Sequence, residues 1–344
     1  MTASQLPVTD FQHQLLAWAN TQGRHDLPWQ QSPSPYSVLV SEIMLQQTQV
    51  ATVIPYFERW MVSFPTVEIL AAADEDQVMA HWQGLGYYSR ARNLHKAAKY
   101  VVDNCQGQFP ADLAGLEAIP GVGRYTAGAI MSFAYDGYGP IVDGNVKRLF
   151  CRFFAIEGQI NSSKVVKQLW QLAEQYTPTT ESALSNRNFA QALLDMGATL
   201  CKPKNPDCAV CPLQQHCQAL RLDRVSELPT PKPKKVIPVK PAWFGWAVAD
   251  QKIYLVKRPS EGIWGGLWCL PELEQNPSQV SESKAVGRFR HTFSHYKLAA
   301  EVIPCSQTHA NGQWFDHKSL ASIGLPKPIK SFIEKHLIDL SDGA

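Results

Sequence analysis

The residues best placed to do chemistry in this 344-residue chain are four cysteines in one short stretch, "CKPKNPDCAVCPLQQHC". They stand at Cys201, Cys208, Cys211 and Cys217, a C-x6-C-x2-C-x5-C spacing. Four thiols in so short a loop can converge on one point. That suits a tetrahedral zinc ion or a cubane iron–sulfur cluster, both of which take four thiolates, with disulfides as the third possibility. Composition leans slightly to zinc, because four-cysteine zinc sites are common, yet the spacing departs from the C-x2-C…C-x2-C ribbon pattern. The other cysteines, at 105, 151, 269 and 305, are scattered and read as small buried thiols. A reducing cytoplasm fits this usage better than a disulfide framework.

A second feature is the glycine loop of "AIPGVGRYTAGAI", residues 118–130. A dinucleotide fingerprint needs G-x-G-x-x-G after a strand, and a mononucleotide loop needs Gly-Lys-Ser/Thr. Neither fits, because helix-like "DLAGLEA" precedes Gly121 and Gly123. Helix, tight glycine turn, helix is the helix-hairpin-helix pattern. Its glycines let backbone N–H groups approach a phosphate at a helix N-terminus. Such a contact suits a duplex backbone, since it carries no sequence information. A plain turn between two helices is the competing reading.

Two carboxylates stand out less. Glu42 lies among Val38, Leu39, Val40, Ile43, Met44 and Leu45. Burial would raise its pKa and make it a general acid near neutrality, but periodicity alone favours an exposed position beside Ser41 and Gln46. Asp143, in "GPIVDGNVKRLF", reads first as a helix N-cap.

The elements that must position these groups are mostly helical up to about residue 228. "TDFQHQLLAWANTQ" opens on Thr9 and Asp10 and puts Phe11, Leu15, Trp18 and Ala19 on one face. "YSVLVSEIMLQQ", "VATVIPYFERWMVSF", "DEDQVMAHWQGLG", "RARNLHKAAKYVVDN" and "NVKRLFCRFF" carry the helical period too. Residues 225–241, "VSELPTPKPKKVIPVKP", read as a stiff basic linker, either a spacer or a contact segment. Beyond it, "WFGWAVADQKIYLVKRP" looks like two strands about a polar turn, "GRFRHTFSHYKLAAEVIPC" supplies more strand, and "PKPIKSFIEKHLIDL" closes as an amphipathic helix. The fold class is therefore multidomain, an all-α part followed by an α+β part. No run is long enough to span a bilayer, and the N-terminus does not read as a secretion signal.

Net charge is only +2, but it is uneven. Residues 1–228 hold 17 Lys and Arg against 20 Asp and Glu, and residues 229–344 hold 15 against 10. A polyanion bound by the first part must use backbone amides and local patches, here Arg90, Arg92, Lys96 and Lys99, then Lys147, Arg148 and Arg152. Solvated helix faces are the plainer reading of those patches.

Taken together, the motifs carry a family resemblance. The cysteine spacing downstream of the Pro-Gly-Val-Gly hairpin resembles the iron–sulfur loop of the endonuclease III superfamily. "HDLPW" (25–29), "SEIMLQQTQV", "GLGYYSRARNL" (84–94) and "VDGNVKRL" resemble signatures of the MutY-type adenine DNA glycosylases. The resemblance covers nearly the whole chain. It implies a helical glycosylase domain over 1–224, with its helix-hairpin-helix near 116–130 and a [4Fe–4S] loop at 201–217. It implies the linker at 225–241 and a Nudix-like domain over 242–344.

The resemblance also implies roles. Glu42 protonates adenine at N7, Asp143 stabilises the sugar cation, and Asn145 and Tyr125 complete the pocket. Gln47, Leu85 and Tyr87 wedge into the base stack, and Thr48 lies near the oxidised guanine. Gly121 and Gly123 hold DNA phosphate, and Lys202 and Lys204 face phosphate. Bifunctional relatives carry lysine at the position of Tyr125, so its phenol implies base removal without strand cleavage. The Nudix-like part lacks the glutamate-rich box G-x5-E-x7-R-E-x2-E-E-x-G, which implies binding rather than hydrolysis. "HTFSHYKL" then points to Phe293, Ser294 and His295 as the probe of 8-oxoguanine. The implied partner is double-stranded DNA bearing adenine opposite 8-oxoguanine or guanine, met by a cytoplasmic monomer with no membrane partner. His25 stands where relatives often have arginine, which removes one charge contact. Two rival readings remain at this level: an endonuclease III-like enzyme with lyase activity, and a non-catalytic cluster-bearing DNA-binding protein.

Overall fold

In a computed structural model the described residues are 6–231, 236–274, 285–306 and 311–337. Part of the expected linker, 232–235, and the end of the expected C-terminal helix, 338–340, lie outside them. In chain order the helices are α1 (Val8–Gln22), α2 (Pro35–Leu45), α3 (Val50–Ser63), α4 (Val67–Ala72), α5 (Glu75–Trp82), α6 (Ser89–Cys105), α7 (Leu113–Glu117), α8 (Arg124–Phe133), α9 (Gly144–Phe153), α10 (Ser163–Tyr176), α11 (Asn186–Asp195), α12 (Gln218–Arg221) and α13 (Lys327–Leu337). None is long and apolar enough to cross a membrane. By contact the chain forms two compact units, residues 1–71 with 96–233, and residues 72–95 with 234–344.

In the helical unit, Pro35 starts α2 and the Ser34 side chain accepts from the Ser37 amide, a cap that satisfies one open donor. Every residue from Tyr36 to Met44 is buried, because α2 packs on both α3 and α8. α1 begins at Val8 behind Pro7 without a side-chain cap, so the Thr9–Asp10 signal falls inside its first turn. Phe11, Leu15 and Ala19 are buried as the periodicity required, while Trp18 is only partly so. The Phe11 ring meets Tyr176 edge-on at 4.9 Å and Phe153 at 5.1 Å. On α8, a Cβ at position 128 would lie 2.1 Å from the Pro140 carbonyl oxygen, so only glycine lets that strand of chain pass.

The two basic patches are solvated faces only in part. Arg90 is buried and its guanidinium donates to the carbonyls of Leu85 and Gly86 at 3.2 and 3.1 Å. Arg152 is buried and donates to the carbonyls of Leu228, Lys202 and Pro203. Lys96 and Lys99 remain exposed.

The second unit holds two sheets, with strands β1 (Val239–Trp246), β2 (Val248–Ala249), β3 (Lys252–Lys257), β4 (Trp268–Cys269), β5 (Glu272–Leu273), β6 (Gly287–Thr292), β7 (Lys297–Pro304) and β8 (Gly312–Phe315). One sheet runs β5-β1-β7-β6; in the other β3 pairs with β2, β4 and β8. β1 and β7 are parallel, with Val239 opposite Lys297, and the other pairs are antiparallel. The two strands expected around a polar turn therefore separate into different sheets. The hairpin is instead β2 with β3, closed by Asp250 and Gln251, both at positive φ as a type I′ turn needs. Phe244, Ile253, Leu255, Val302, Ile329 and Phe332 form the core. Residues 72–95 belong here because Gln83 Nε2 and Tyr88 Oη both donate to the Leu325 carbonyl at 3.1 Å.

Candidate active site

The helical unit brings Glu42, Tyr125, Asp143 and Asn145 together. Glu42 is 4% exposed, so the surface position favoured by periodicity is wrong: α2 is covered on its polar side as well. Tyr125, in the first turn of α8, donates its Oη proton to Glu42 Oε2 at 2.6 Å. Burial pushes the Glu42 carboxyl up to about 7; the Tyr125 hydrogen bond opposes this and the nearby Asp143 charge adds to it. Burial and the two carboxylates hold the Tyr125 phenol well above its usual range, so it stays a donor.

Asp143 is the N-cap of α9, as its sequence position suggested. Its Oδ1 accepts from the Val146 amide at 2.7 Å and its Oδ2 from Asn145 Nδ2 at 2.9 Å. Burial raises its carboxyl, and those hydrogen bonds with the Arg148 charge work against the rise. Arg148 Nη2 donates to Asn145 Oδ1 at 2.9 Å, and Arg148 Nε donates to the Cys201 carbonyl at 2.8 Å. A continuous hydrogen-bonded chain thus runs from the cysteine loop to the carboxylate.

Glu42 also lines a cavity of about 360 Å³, with Trp29, Leu45, His25 and Arg24 among its walls. Asp143, Tyr125 and Asn145 do not line it. Arg24 is fixed there by Asp195, a side chain 1% exposed: Arg24 N donates to Oδ2 at 2.8 Å and Nε to Oδ1 at 2.8 Å. Sequence reasoning missed this pair, whose members are 171 residues apart. The buried acid of "LLDMG" was the only signal available. His25 Nε2 meets the Ala19 carbonyl at 3.0 Å.

The remaining predicted residues are placed as follows. Gln47 is exposed at φ 56°, and the Thr48 amide donates to the Leu45 carbonyl. Gly121 has φ 82°. Gly123 caps α8 with an ordinary φ of −96°, and a Cβ there would meet nothing within 4 Å. In the other unit Leu85 is buried and Tyr87 is 50% exposed at φ 49°. Ser294 and His295 are exposed at the centre of the turn closed by the Phe293 amide donating to the Tyr296 carbonyl. Lys202 pairs with Asp207 at 2.8 Å, and Lys204 is exposed.

The four cysteines line one small apolar cavity with Leu149, Arg152 and Leu213. Arg152 Nη1 lies 3.4 Å from Cys201 Sγ. Burial pushes the Cys211 thiol up to about 12, and Cys208 and Cys217 are raised as well, in part by their fellow thiols. A positively charged centre is what lets such a set ionise. Among the described residues no three His, Cys, Asp or Glu converge as on a single metal ion. Four thiols around one cavity suit a centre that takes four thiolates. Of the scattered cysteines, Cys151 and Cys269 are buried, but Cys105 and Cys305 are only partly so.

Comparison with known proteins agrees with this geometry. Residues 40–175 match the family described as HhH-GPD superfamily base excision DNA repair protein. Residues 201–217 match the iron-sulfur binding domain of endonuclease III, and residues 242–335 a NUDIX domain. The chain is 36% identical to an adenine DNA glycosylase of Buchnera aphidicola subsp. Schizaphis graminum, over 94% of this chain and 98% of that one. It is 34% identical to the adenine DNA glycosylase of Rattus norvegicus, over 94% and 77%. A thermostable thymine-DNA glycosylase structure superposes with a TM-score of 0.56 at 28% identity, over 62% of this chain and 97% of that one.

Proposed function

The chain belongs to the adenine DNA glycosylase family, and from that premise we propose that it excises adenine opposite 8-oxoguanine, and opposite guanine, without cutting the strand. As a base-excision N-glycosylase it carries a [4Fe–4S] cluster, for which Cys201, Cys208, Cys211 and Cys217 are the ligands. Bound to these four thiolates, it would tie the loop into one fixed conformation.

One observation carries the mechanism: a carboxyl almost wholly buried at the wall of a cavity, pushed up to about 7, with a phenol donating to one of its oxygens. At neutral pH a large share of Glu42 holds its proton, as a general acid must. The flipped adenine enters the cavity beside Glu42. Glu42 gives its proton to N7 as the C1′–N9 bond breaks, and the bonding electrons pass to the base. Asp143, which accepts from the Val146 amide and the Asn145 side chain, is the carboxylate that faces the cation left at C1′. Water adds at C1′ and releases a proton to solvent, from which Glu42 is restored. The two carboxyls divide the work as in other cleavages at an anomeric carbon. Tyr125 offers no amine, so no Schiff base forms.

DNA binding uses the hairpin. Nothing inside the chain requires glycine at 123, whose Cβ would enter open space; a phosphate approaching the amides around Gly121 and Gly123 does require it. Exposed Gln47 and Tyr87 enter the stack, with Leu85 in the same loop as Tyr87 and Thr48 beside the opposite purine. Ser294 and His295 read that purine. The test uses duplexes with adenine opposite 8-oxoguanine, guanine or thymine, with borohydride added. The expected result is an abasic product from the first two and no trapped adduct. Efficient trapping, or no excision, would overturn the reading.

A further inference from the structure

Tyr87 at φ 49° and Trp264 at φ 56° are the aromatic residues with left-handed backbones among those described. That region is strained for a bulky side chain, and such strain is kept where the surroundings enforce it, most often at functional sites. Both residues line the same cavity of about 460 Å³ in the C-terminal unit. His291, Phe293, His295 and Lys327 line it as well.

The two strained residues sit on one framework. The Arg92 guanidinium, from the segment that carries Tyr87, donates to the Gly265 carbonyl next to Trp264. The Trp264 loop is closed by the Gly266 amide on the Pro259 carbonyl at 2.9 Å and the Leu267 amide on the Trp264 carbonyl at 3.1 Å. The indole centroid lies 5.4 Å from that of Phe293 and 5.8 Å from that of His291, yet the residue is only partly buried. Burial and Lys327 hold His291 below its usual pKa, so its neutral ring can both donate and accept. The volume is that of a small-ligand site, and rings stacked on a purine's faces fix which of its edges meets the neighbouring polar side chains. Lys327 adds a cation for a phosphate oxygen.

We propose that Trp264 determines specificity for the purine opposite the excised adenine, forming with Tyr87 the aromatic walls between which Ser294 and His295 read that purine. This rests on the reading above that Ser294 and His295 read the purine opposite the excised adenine. Trp264→Asn removes the ring while tolerating the left-handed backbone, and Trp264→Phe keeps a ring. Single-turnover excision is compared for adenine opposite 8-oxoguanine and opposite guanine, together with the dissociation constants of both duplexes. Trp264→Asn is expected to cut the preference for 8-oxoguanine about tenfold, the rate and affinity opposite 8-oxoguanine falling further than those opposite guanine, because the purine edge is no longer held against Ser294 and His295. Trp264→Phe keeps most of the preference. Trp264→Asn combined with Tyr87→Leu loses less than the product of the two single losses, because the rings share one site. A merely structural tryptophan would slow both substrates in parallel. Parallel loss, or a preference that survives Trp264→Asn, overturns the assignment while leaving the parent reading intact. A wild-type protein that excises adenine with no preference overturns the assignment, and one that does not excise adenine overturns the parent reading.

Discussion

Glu42 and Asp143 are both carboxyls with raised pKa, but the chain surrounds them differently. Glu42 is sealed inside α2 and receives one phenol hydrogen bond. Asp143 is partly exposed at a helix N-terminus and receives the Val146 amide, the Asn145 side chain and the field of Arg148. Desolvation wins at the first and hydrogen bonding with charge restrains it at the second. Anomeric cleavage needs one acid and one carboxylate at the same pH, and in the proposed mechanism Glu42 is the acid and Asp143 the carboxylate.

The largest break in this comparison is Glu42→Gln or Asp143→Asn. Each is expected to lower single-turnover excision by about 10²–10⁴-fold, the usual worth of a positioned acid or base, with duplex binding retained in a gel-shift titration. Next comes Arg148→Gln, which removes the charge that holds Asp143 down and the partner of Asn145. We expect a rate loss of roughly tenfold, the effect of about 1.4 kcal/mol, and a steeper loss at acid pH as Asp143 takes up a proton. An unchanged acid limb would mean that Arg148 does not act on Asp143.

Glu42→Gln also has a stability signature. A carboxyl whose pKa is raised from 4.5 to about 7 binds its proton more tightly in the folded state. It therefore costs stability progressively as pH rises through that window, on the order of 3 kcal/mol once above it. The variant escapes the cost, so its denaturation midpoint is expected to exceed the wild type's at pH 8 and to match it at pH 4. The smallest effect belongs to Tyr125→Phe. Losing a bond that favours the charged form raises Glu42 further, so the alkaline limb of the rate profile moves up by about one pH unit.

What could be read from sequence follows from how local each feature is. The cysteine loop closes within 201–217, so spacing alone brought out a cluster or zinc site. Asp143 as a cap was legible because its partner is Val146, three residues on. Glu42 was misread because periodicity assumes a helix with one wet face, and α2 has none. Arg90 and Arg152 were misread because backbone carbonyls, invisible to composition, satisfy them. The Arg24–Asp195 pair and the parallel β1–β7 register depend on residues brought together only by the fold.

The most direct test of the acid–carboxylate division is the pH dependence of single-turnover adenine excision by the wild-type protein. The account gives a rate that falls about tenfold per pH unit above about 7, as Glu42 loses its proton. A rate that stays flat through pH 9, with Glu42 still required, would contradict it.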